Sequence, residues 1–294
     1  MRIVYLGTPS DAVPPLRALV DAGHDVALVI TQPDRRRSRG PGADPSPVKR
    51  AAVELGVPVR TPAKAREVTD EVAASGAELG VVVAFGQLLP QSFLDALPHG
   101  FVNMHFSLLP RWRGAAPVER ALLAGDLETG VCLMRIDAGL DTGAVYACVK
   151  VPIGPRDTAG ELHARLVDAG TALLLEHLPA LVGATPIPQL GDATYAEKLD
   201  VSEFRIDPMR RADELDLLVR AGNPRPGAWF SAGGRRVKVW SAHAADAAAP
   251  GDAVISTSDG ALVLDEVQPE GKRAMPGRAW RAGLHDEIHL DEPA

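Results

Sequence analysis

Five short apolar runs, at residues 2–6, 25–31, 57–60, 79–84 and 101–105, are separated by stretches whose apolar positions recur with helical spacing. Apolar runs that alternate with amphipathic stretches predict mostly parallel strands covered on both faces by helices. The first helix is expected to begin near Ser10 and Asp11 as capping residues and to end before Gly23. Ser46 followed by Pro47 reads as the N-cap and first-turn proline of the next. Residues 131–136 and 144–151 predict a strand pair joined through the polar, glycine-containing segment 137–143, and residues 157–182 predict a long helix with a break at Pro179.

After that helix the texture changes. Residues 183–192 carry Gly, Pro and Gln with little periodicity and read as a linker or surface crossing. Beyond it come a short helix at 211–220 and short strands at 228–231, 236–241, 253–256 and 261–267, set between glycine-rich turns. That spacing predicts a small barrel, of OB-like form. The alanine-rich stretch 242–250 is expected to be a surface loop. The fold class is therefore α/β: a Rossmann-like, mostly parallel sheet domain at 1–189, a linker at 190–205, and a small C-terminal OB-like β-barrel domain at 206–294.

Length and composition agree with two domains, since the chain has 294 residues of which 46% are hydrophobic. No apolar run approaches the roughly 20 residues of a membrane span. The N-terminus enters a strand pattern at once, without a signal-peptide pattern, so the expected address is cytoplasmic. Cys132 and Cys148 have neither CxxC spacing nor neighbouring metal-ligand types, which makes packing residues the expectation for both and gives no metal site. The formal charge of −7 alone argues against a nucleic-acid partner, but the basic residues are clustered. One cluster is Arg35, Arg36, Arg37, Arg39, Lys49 and Arg50; the other runs from Arg205 to Lys238.

The first strand leads into Gly7, Thr8 and Pro9 without the G-x-G-x-x-G of a dinucleotide site, and Walker A, HExxH and G-x-S-x-G patterns are absent. In the run from Phe101 to Phe106, the period of two puts Asn103 and His105 on one side of a strand, at its carboxyl end. Open α/β sheets bind ligands there, and this pair supplies a hydrogen-bond donor and a titratable group. Asp141, in the turn between Gly139 and Gly143, is a candidate to orient the imidazole. Residues 33–47 connect strand to helix over a longer path than the usual two to six or so positions. With Arg35, Arg36, Arg37 and Arg39 in it, this loop suits phosphate or RNA.

The words TQPDRRRSRG with PSPVK (31–49), NMHFSLLPRWRGAAPV (103–118), RIDAGLDTGAVY (135–146), TYAEKL (194–199), NPRPGAW (223–229) and VKVW (237–240) resemble the methionyl-tRNA formyltransferase family across essentially the whole chain. The resemblance implies transfer of a formyl group from 10-formyltetrahydrofolate to the amino group of methionyl initiator tRNA. It implies a catalytic set Asn103, His105 and Asp141, a folate-contacting segment Ser107, Leu108, Leu109 and Pro110, and a tRNA-reading loop with Arg39 flanked by Arg35, Arg36 and Arg37. A monomer that needs neither metal nor membrane completes the expectation. The departures are Phe106, where a small residue is common in the family, and Arg36 and Arg37 in place of Pro-Ala. Two other readings are a formyltransferase acting on another amine and a non-catalytic RNA-binding protein on a degenerate formyltransferase scaffold.

Overall fold

The computed structural model describes residues 1–36, 43–284, 288, 290 and 291. Its residues divide into two compact units: Met1–Gly114 with Glu128–Pro152 and His163–Ala196, and Ala115–Leu127 with Ile153–Leu162 and Glu197–Ala294. The second unit thus draws on more of the chain than its C-terminal third. The helices are α1 (Val13–Asp21), α2 (Pro47–Glu54), α3 (Thr69–Ala74), α4 (Gln91–Leu94), α5 (Pro117–Leu123), α6 (Ala159–Leu181), α7 (Ala212–Gly222) and α8 (Gly277–Ala282).

The strands of the first unit are β1 (Arg2–Gly7), β2 (Asp25–Ile30), β3 (Arg35–Arg36), β4 (Ala43–Asp44), β5 (Val59–Arg60), β6 (Leu79–Val83), β7 (Phe101–His105), β8 (Arg113–Gly114), β9 (Glu128–Arg135), β10 (Val145–Pro152) and β11 (Tyr195–Ala196). Seven of them form one sheet in the order β10-β9-β7-β6-β1-β2-β5. The five from β7 to β5 are mutually parallel; β9 is antiparallel to β7, and β10 is antiparallel to β9. The chain moves outward from β1 through β2 to β5, then returns to lay β6 and β7 on the other flank. The crevice at the carboxyl ends of β1 and β6 is therefore the topological switch point, where such sheets take their ligands.

Burial explains the strand runs. Ile3, Val4, Tyr5, Leu6, Val81 and Val83 are fully buried, as expected of a sheet covered on both faces. Tyr5 donates to the Ala12 carbonyl at 2.6 Å, and burial pushes its phenol well above the ordinary range. Phe93 of α4 and Phe101 of β7 stack at 5.1 Å in the core beside this sheet.

Helix boundaries depart from expectation at two points. Residues Ser10–Ala12 form a 3-10 turn of their own, and α1 starts at Val13 with Pro14 in its first turn and no side-chain cap. Proline has no N–H for a cap to satisfy, so the capping role assigned to Ser10 and Asp11 has no donor to serve there. Helix α6 continues through Pro179 to Leu181. Leu174, Leu178 and Leu181 are buried, and their packing holds the last turn despite the bond that proline cannot donate. The start of α6 is a reciprocal cap: Thr158 N–H donates to Glu161, and Glu161 N–H donates to Thr158 Oγ1. Ser46 caps α2 as expected, accepting from the Lys49 amide at 3.0 Å.

Cys132 and Cys148 face each other across β9 and β10, with a Cα–Cα distance of 4.1 Å, and are joined as a disulfide. Two separate packing residues were the expectation; the antiparallel register, which spacing along the chain does not reveal, makes them partners.

In the second unit, β12 (Ala228–Ala232), β13 (Arg235–Ala245), β14 (Val254–Ser256) and β15 (Ala261–Pro269) form an antiparallel sheet in the order β12-β13-β15-β14, and β16 (Met275–Pro276) pairs with β15. Helix α7 packs on β13 and β15 and against α5. Arg120 of α5 donates to the Glu203 carboxylate at 2.7 and 3.2 Å, and this bond holds that carboxyl below its usual range. Strand β13 reaches Ala245, so the first four residues of the stretch expected as a loop are strand. They pair with residues 261–264, a partner that local composition cannot announce. Among the described residues, no helix is long and apolar enough to cross a membrane.

Gly80 of β6 is where Phe101 fits, since a Cβ there would collide with the Phe101 ring. Gly80→Ala should therefore destabilise the first unit by about 1–3 kcal/mol, the usual range for an overpacked core. Urea unfolding monitored by circular dichroism checks this; an unchanged midpoint would mean that Phe101 can move aside freely.

Candidate active site

Strand β7 presents Asn103, half-buried, and His105, 6% exposed, on one side at its carboxyl end. The two lie opposite Met134 and Cys132 of β9. His105 Nε2 lies 2.9 Å from the Trp112 carbonyl oxygen. A carbonyl only accepts, so Nε2 carries a hydrogen. The other ring nitrogen, Nδ1, faces Asp141 Oδ2 at 3.7 Å. Asp141 is itself oriented, because its Oδ2 accepts from the Gly114 amide at 2.8 Å. The structure thus brings His105 and Asp141 together, with Asn103 beside His105 on the same strand.

Two loops hold this arrangement. The loop after β7 closes on itself through Ser107, fully buried, whose hydroxyl donates to the Arg111 carbonyl at 2.6 Å. It is tied to residues 194–196 by the Trp112 amide on Thr194 Oγ1, the Arg113 amide on the Thr194 carbonyl, and the β8–β11 ladder. The loop between β9 and β10 holds Asp141. Gln189 joins the two: its side-chain N–H groups donate to the Asp141 and Gly143 carbonyls at 2.8 Å each, and its oxygen accepts from Arg113 at 3.0 and 2.7 Å. Among the described residues, the non-glycine positions with positive φ are Ala84, Trp112 and Asp141. Two of the three hold His105 directly, in keeping with the concentration of strained backbone at working sites.

The segment 107–110 divides. Ser107 spends its hydroxyl on loop closure, whereas Leu108, Leu109 and Pro110 are half-buried, with Leu108 packed over Gly130 of β9. Phe106 is buried with its ring edge-on to His163 at 6.0 Å, and His163 lies 3.5 Å from Asp11. The extra bulk at position 106 therefore packs against α6.

Arg37 and Arg39 lie outside the described residues. The backbones of Arg35 and Arg36 pair with Asp44 and Ala43, making a short antiparallel stem for the long basic loop. At its base Lys49 meets Asp34 at 2.6 Å and Thr31 meets Ser46 at 2.7 Å. In the second unit two sets stand out within the basic cluster. Arg210, Arg211 and Arg220 pair with Glu214, Asp213 and Asp216. Arg236 instead lies over the Trp229 ring at 3.7 Å with Arg205 at 5.8 Å, and Lys238 lies over Trp240 at 5.2 Å. Among the described residues no group of three His, Cys, Asp or Glu side chains is placed to hold a metal ion.

Sequence reasoning finds the residues on the strand and in the aspartate turn but misses Gln189, Thr194, Trp112 and Gly114 as parts of the site. Two of these act through backbone groups, which leave no trace in residue type. Gln189 sits in a segment that reads as a linker, and only the TYAEKL word at 194–199 signals that the segment is more.

A primary amide, an imidazole with one nitrogen engaged, and an oriented carboxylate can together stabilise a carbonyl oxygen gaining charge and relay a proton. The sequence model described as formyl transferase matches residues 1–178, and that of the formyl transferase C-terminal domain matches 198–285. The chain is 48% identical to the methionyl-tRNA formyltransferase of Paracoccus denitrificans, over 99% of this chain and 100% of that one. Among solved structures, HypX from Aquifex aeolicus in complex with tetrahydrofolic acid superposes with a TM-score of 0.68 at 17% identity, over 100% of this chain and 51% of that one. The sugar 3N-formyl transferase WlaRD gives a TM-score of 0.68 at 20% identity, over 93% and 99%. At such identities the likeness is one of fold.

Gly143 lies so close to the Arg135 carbonyl that an added Cβ would collide with it. Gly143→Ala should push the 137–143 turn outward and take Asp141 from the Gly114 amide. Hydrogen exchange at Gly114 should then accelerate while β1 and β6 amides stay protected; equal exchange at Gly114 would mean that the turn absorbs the methyl group locally.

Proposed function

We propose the following division of chemistry for a chain that belongs to the methionyl-tRNA formyltransferase family. It transfers the formyl group of 10-formyltetrahydrofolate to the free amino group of methionyl initiator tRNA. The observation that carries the mechanism is the bracketed imidazole: His105 between the Trp112 carbonyl at 2.9 Å and the Asp141 carboxylate at 3.7 Å, with Asn103 two residues before it.

The folate supplies an activated formyl group when bound, and the apolar, half-buried Leu108, Leu109 and Pro110 suit one flat face of such a ligand, with Ser107 holding their loop in shape. The Asn103 amide donates to the carbonyl oxygen that gains negative charge as the amine attacks. Because Nε2 is committed to Trp112, Nδ1 is the nitrogen of His105 that is left to take and return a proton. Asp141 compensates the positive charge that develops on the ring as it does so. The attacking α-amino group titrates near pH 8, so a neutral nucleophile is accessible without a strong base.

The tRNA contacts are assigned to two basic elements. The loop carrying Arg35, Arg36, Arg37 and Arg39 is held at its stem by the β3–β4 ladder and serves the acceptor end, with Arg39 as the reading residue. In the second unit, Trp229 and Trp240 with Arg205, Arg236 and Lys238 form a cationic aromatic face suited to phosphate and bases. We assign 1–189 to folate binding and catalysis, 190–205 to a linker and 206–294 to tRNA binding. The long β13, with register shifts around Ser241, supports an OB-like curvature for that last part. The enzyme is proposed to act as a cytoplasmic monomer, where its charged tRNA is made.

A formylation assay with charged initiator tRNA and 10-formyltetrahydrofolate tests the whole reading. Asn103→Ala, His105→Ala and Asp141→Ala should each lower kcat by roughly 10² or more with unchanged circular dichroism, the usual cost of losing an oxyanion donor or acid-base group. Near-normal turnover removes that residue from the mechanism. RNA binding without any formylation by the parent chain would instead favour a non-catalytic scaffold.

Arg236→Ala should weaken tRNA binding and reduce the slope of log affinity against log salt by about 0.7–0.9, as for one lost phosphate contact. Trp229→Ala should weaken binding with less change in slope, because stacking releases no counterion. A salt titration of tRNA affinity measures both, and unchanged values would return this face to an ordinary solvated surface.

A further inference from the structure

Gln189 lies outside every segment to which the family resemblance assigns a role, in a stretch that reads as a linker, yet it stands between the two loops that hold His105. We propose that Gln189 is a positioning residue for catalysis: it clamps the Asp141 turn to the Arg113 loop and so sets the distance between the carboxylate and the imidazole. The inference rests on the reading of His105 and Asp141 as a working pair.

The side chain uses its full bonding capacity. A glutamine amide offers two N–H donors and one oxygen with two lone pairs. Both donors are spent on the Asp141 and Gly143 carbonyls at 2.8 Å each, and both lone pairs on Arg113 Nε and Nη2 at 3.0 and 2.7 Å. Each partner is next to a group that bears on the imidazole. Asp141 faces Nδ1 with its own carboxylate, while Arg113 lies between Trp112, whose carbonyl takes Nε2, and Gly114, whose amide orients Asp141. The segment carrying Gln189 is anchored independently, since Ile187 exchanges both backbone hydrogen bonds with Val145 at 2.8 Å. Asp141 and Trp112 both have positive φ, a conformation that persists only where the surroundings over-determine it. Gln189 supplies that determination to the Asp141 turn directly and to Trp112 through the neighbouring Arg113.

No other side chain at this position reproduces the set. Methionine has the length and none of the bonds. Glutamate keeps the pairing with Arg113 but turns a carboxylate oxygen toward two carbonyls, which repels the Asp141 turn. The pair of variants therefore separates loss of the clamp from loss of its donor arm alone.

The test is steady-state formylation by full-length Gln189→Met and Gln189→Glu, alone and combined with Asp141→Ala, with thermal unfolding and folate binding measured alongside. Both single variants should lose about 10- to 100-fold in kcat, as expected for displacement of a catalytic group by an ångström or less, while the KM for each substrate moves by no more than about threefold. On the Asp141→Ala background, Gln189→Met should cost little further, because the group it positions is already gone. A fully active Gln189→Met or Gln189→Glu, or losses that multiply in the double variant, would overturn the proposal. If Gln189→Met does not fold, Gln189→Glu carries the same comparison, since it retains the Arg113 pairing. An Asp141→Ala enzyme with near-normal kcat would overturn the reading of the catalytic pair and this inference with it; an impaired Asp141→Ala beside an unimpaired Gln189 variant would overturn this inference alone.

Discussion

The hydrogen bond from His105 Nε2 to the Trp112 carbonyl is the constraint on which the proposed chemistry depends. It commits one nitrogen to the protein and leaves the other turned toward Asp141. A backbone acceptor cannot change its own charge, so the choice of nitrogen holds whatever the protonation of the neighbouring carboxylate. Trp112 has a positive φ, and the loop from Ser107 to Gly114 is tied down on both sides of it. The buried Ser107 hydroxyl closes the loop, Thr194 takes the amide of Trp112, and the β8–β11 ladder holds its far end.

The sheet explains why this can be assembled at all. Residues at the end of β7 stand at the carboxyl edge of the parallel strands, beside the switch point where the chain has crossed from β5 back to β6. Antiparallel β9 runs from opposite His105 to opposite Val102, and the 137–143 turn that follows brings Asp141, 36 positions after the histidine, back to within 3.7 Å of it. Fully buried strands make the platform stiff, and two hydrogen-bonded loops on a stiff platform can keep a site in shape without a metal to organise it.

Charge is handled differently in the second unit. The basic excess there is not one surface: Arg210, Arg211 and Arg220 pair with carboxylates of α7, whereas Arg236 and Lys238 lie against tryptophan rings. An indole face carries no net charge to offset that of a guanidinium, whereas a carboxylate partner makes the pair neutral as a whole. The distinction is what lets a chain of net charge −7 present the cationic aromatic face proposed for tRNA.

From the sequence, hydrophobic periodicity already determined the mostly parallel sheet, the long helix and the antiparallel strands of the second unit, because burial acts on residue type at a spacing set by the backbone. It also determined Asn103 and His105 as a pair, since alternation along one strand is a local property. What only the tertiary structure decided was everything that depends on backbone groups or on partners remote in the chain. Trp112 and Gly114 contribute a carbonyl and an amide, which every residue carries and no sequence pattern marks. Cys132 and Cys148 meet through a strand register, Ala242 to Ala245 become strand because β15 lies beside them, and Pro14 takes over the helix start expected of Ser10 and Asp11. Gln189 is the clearest instance: its segment lacks periodicity because it belongs to neither core, and its side chain meets Arg113 and the Asp141 turn, partners remote in the chain that residue type does not announce.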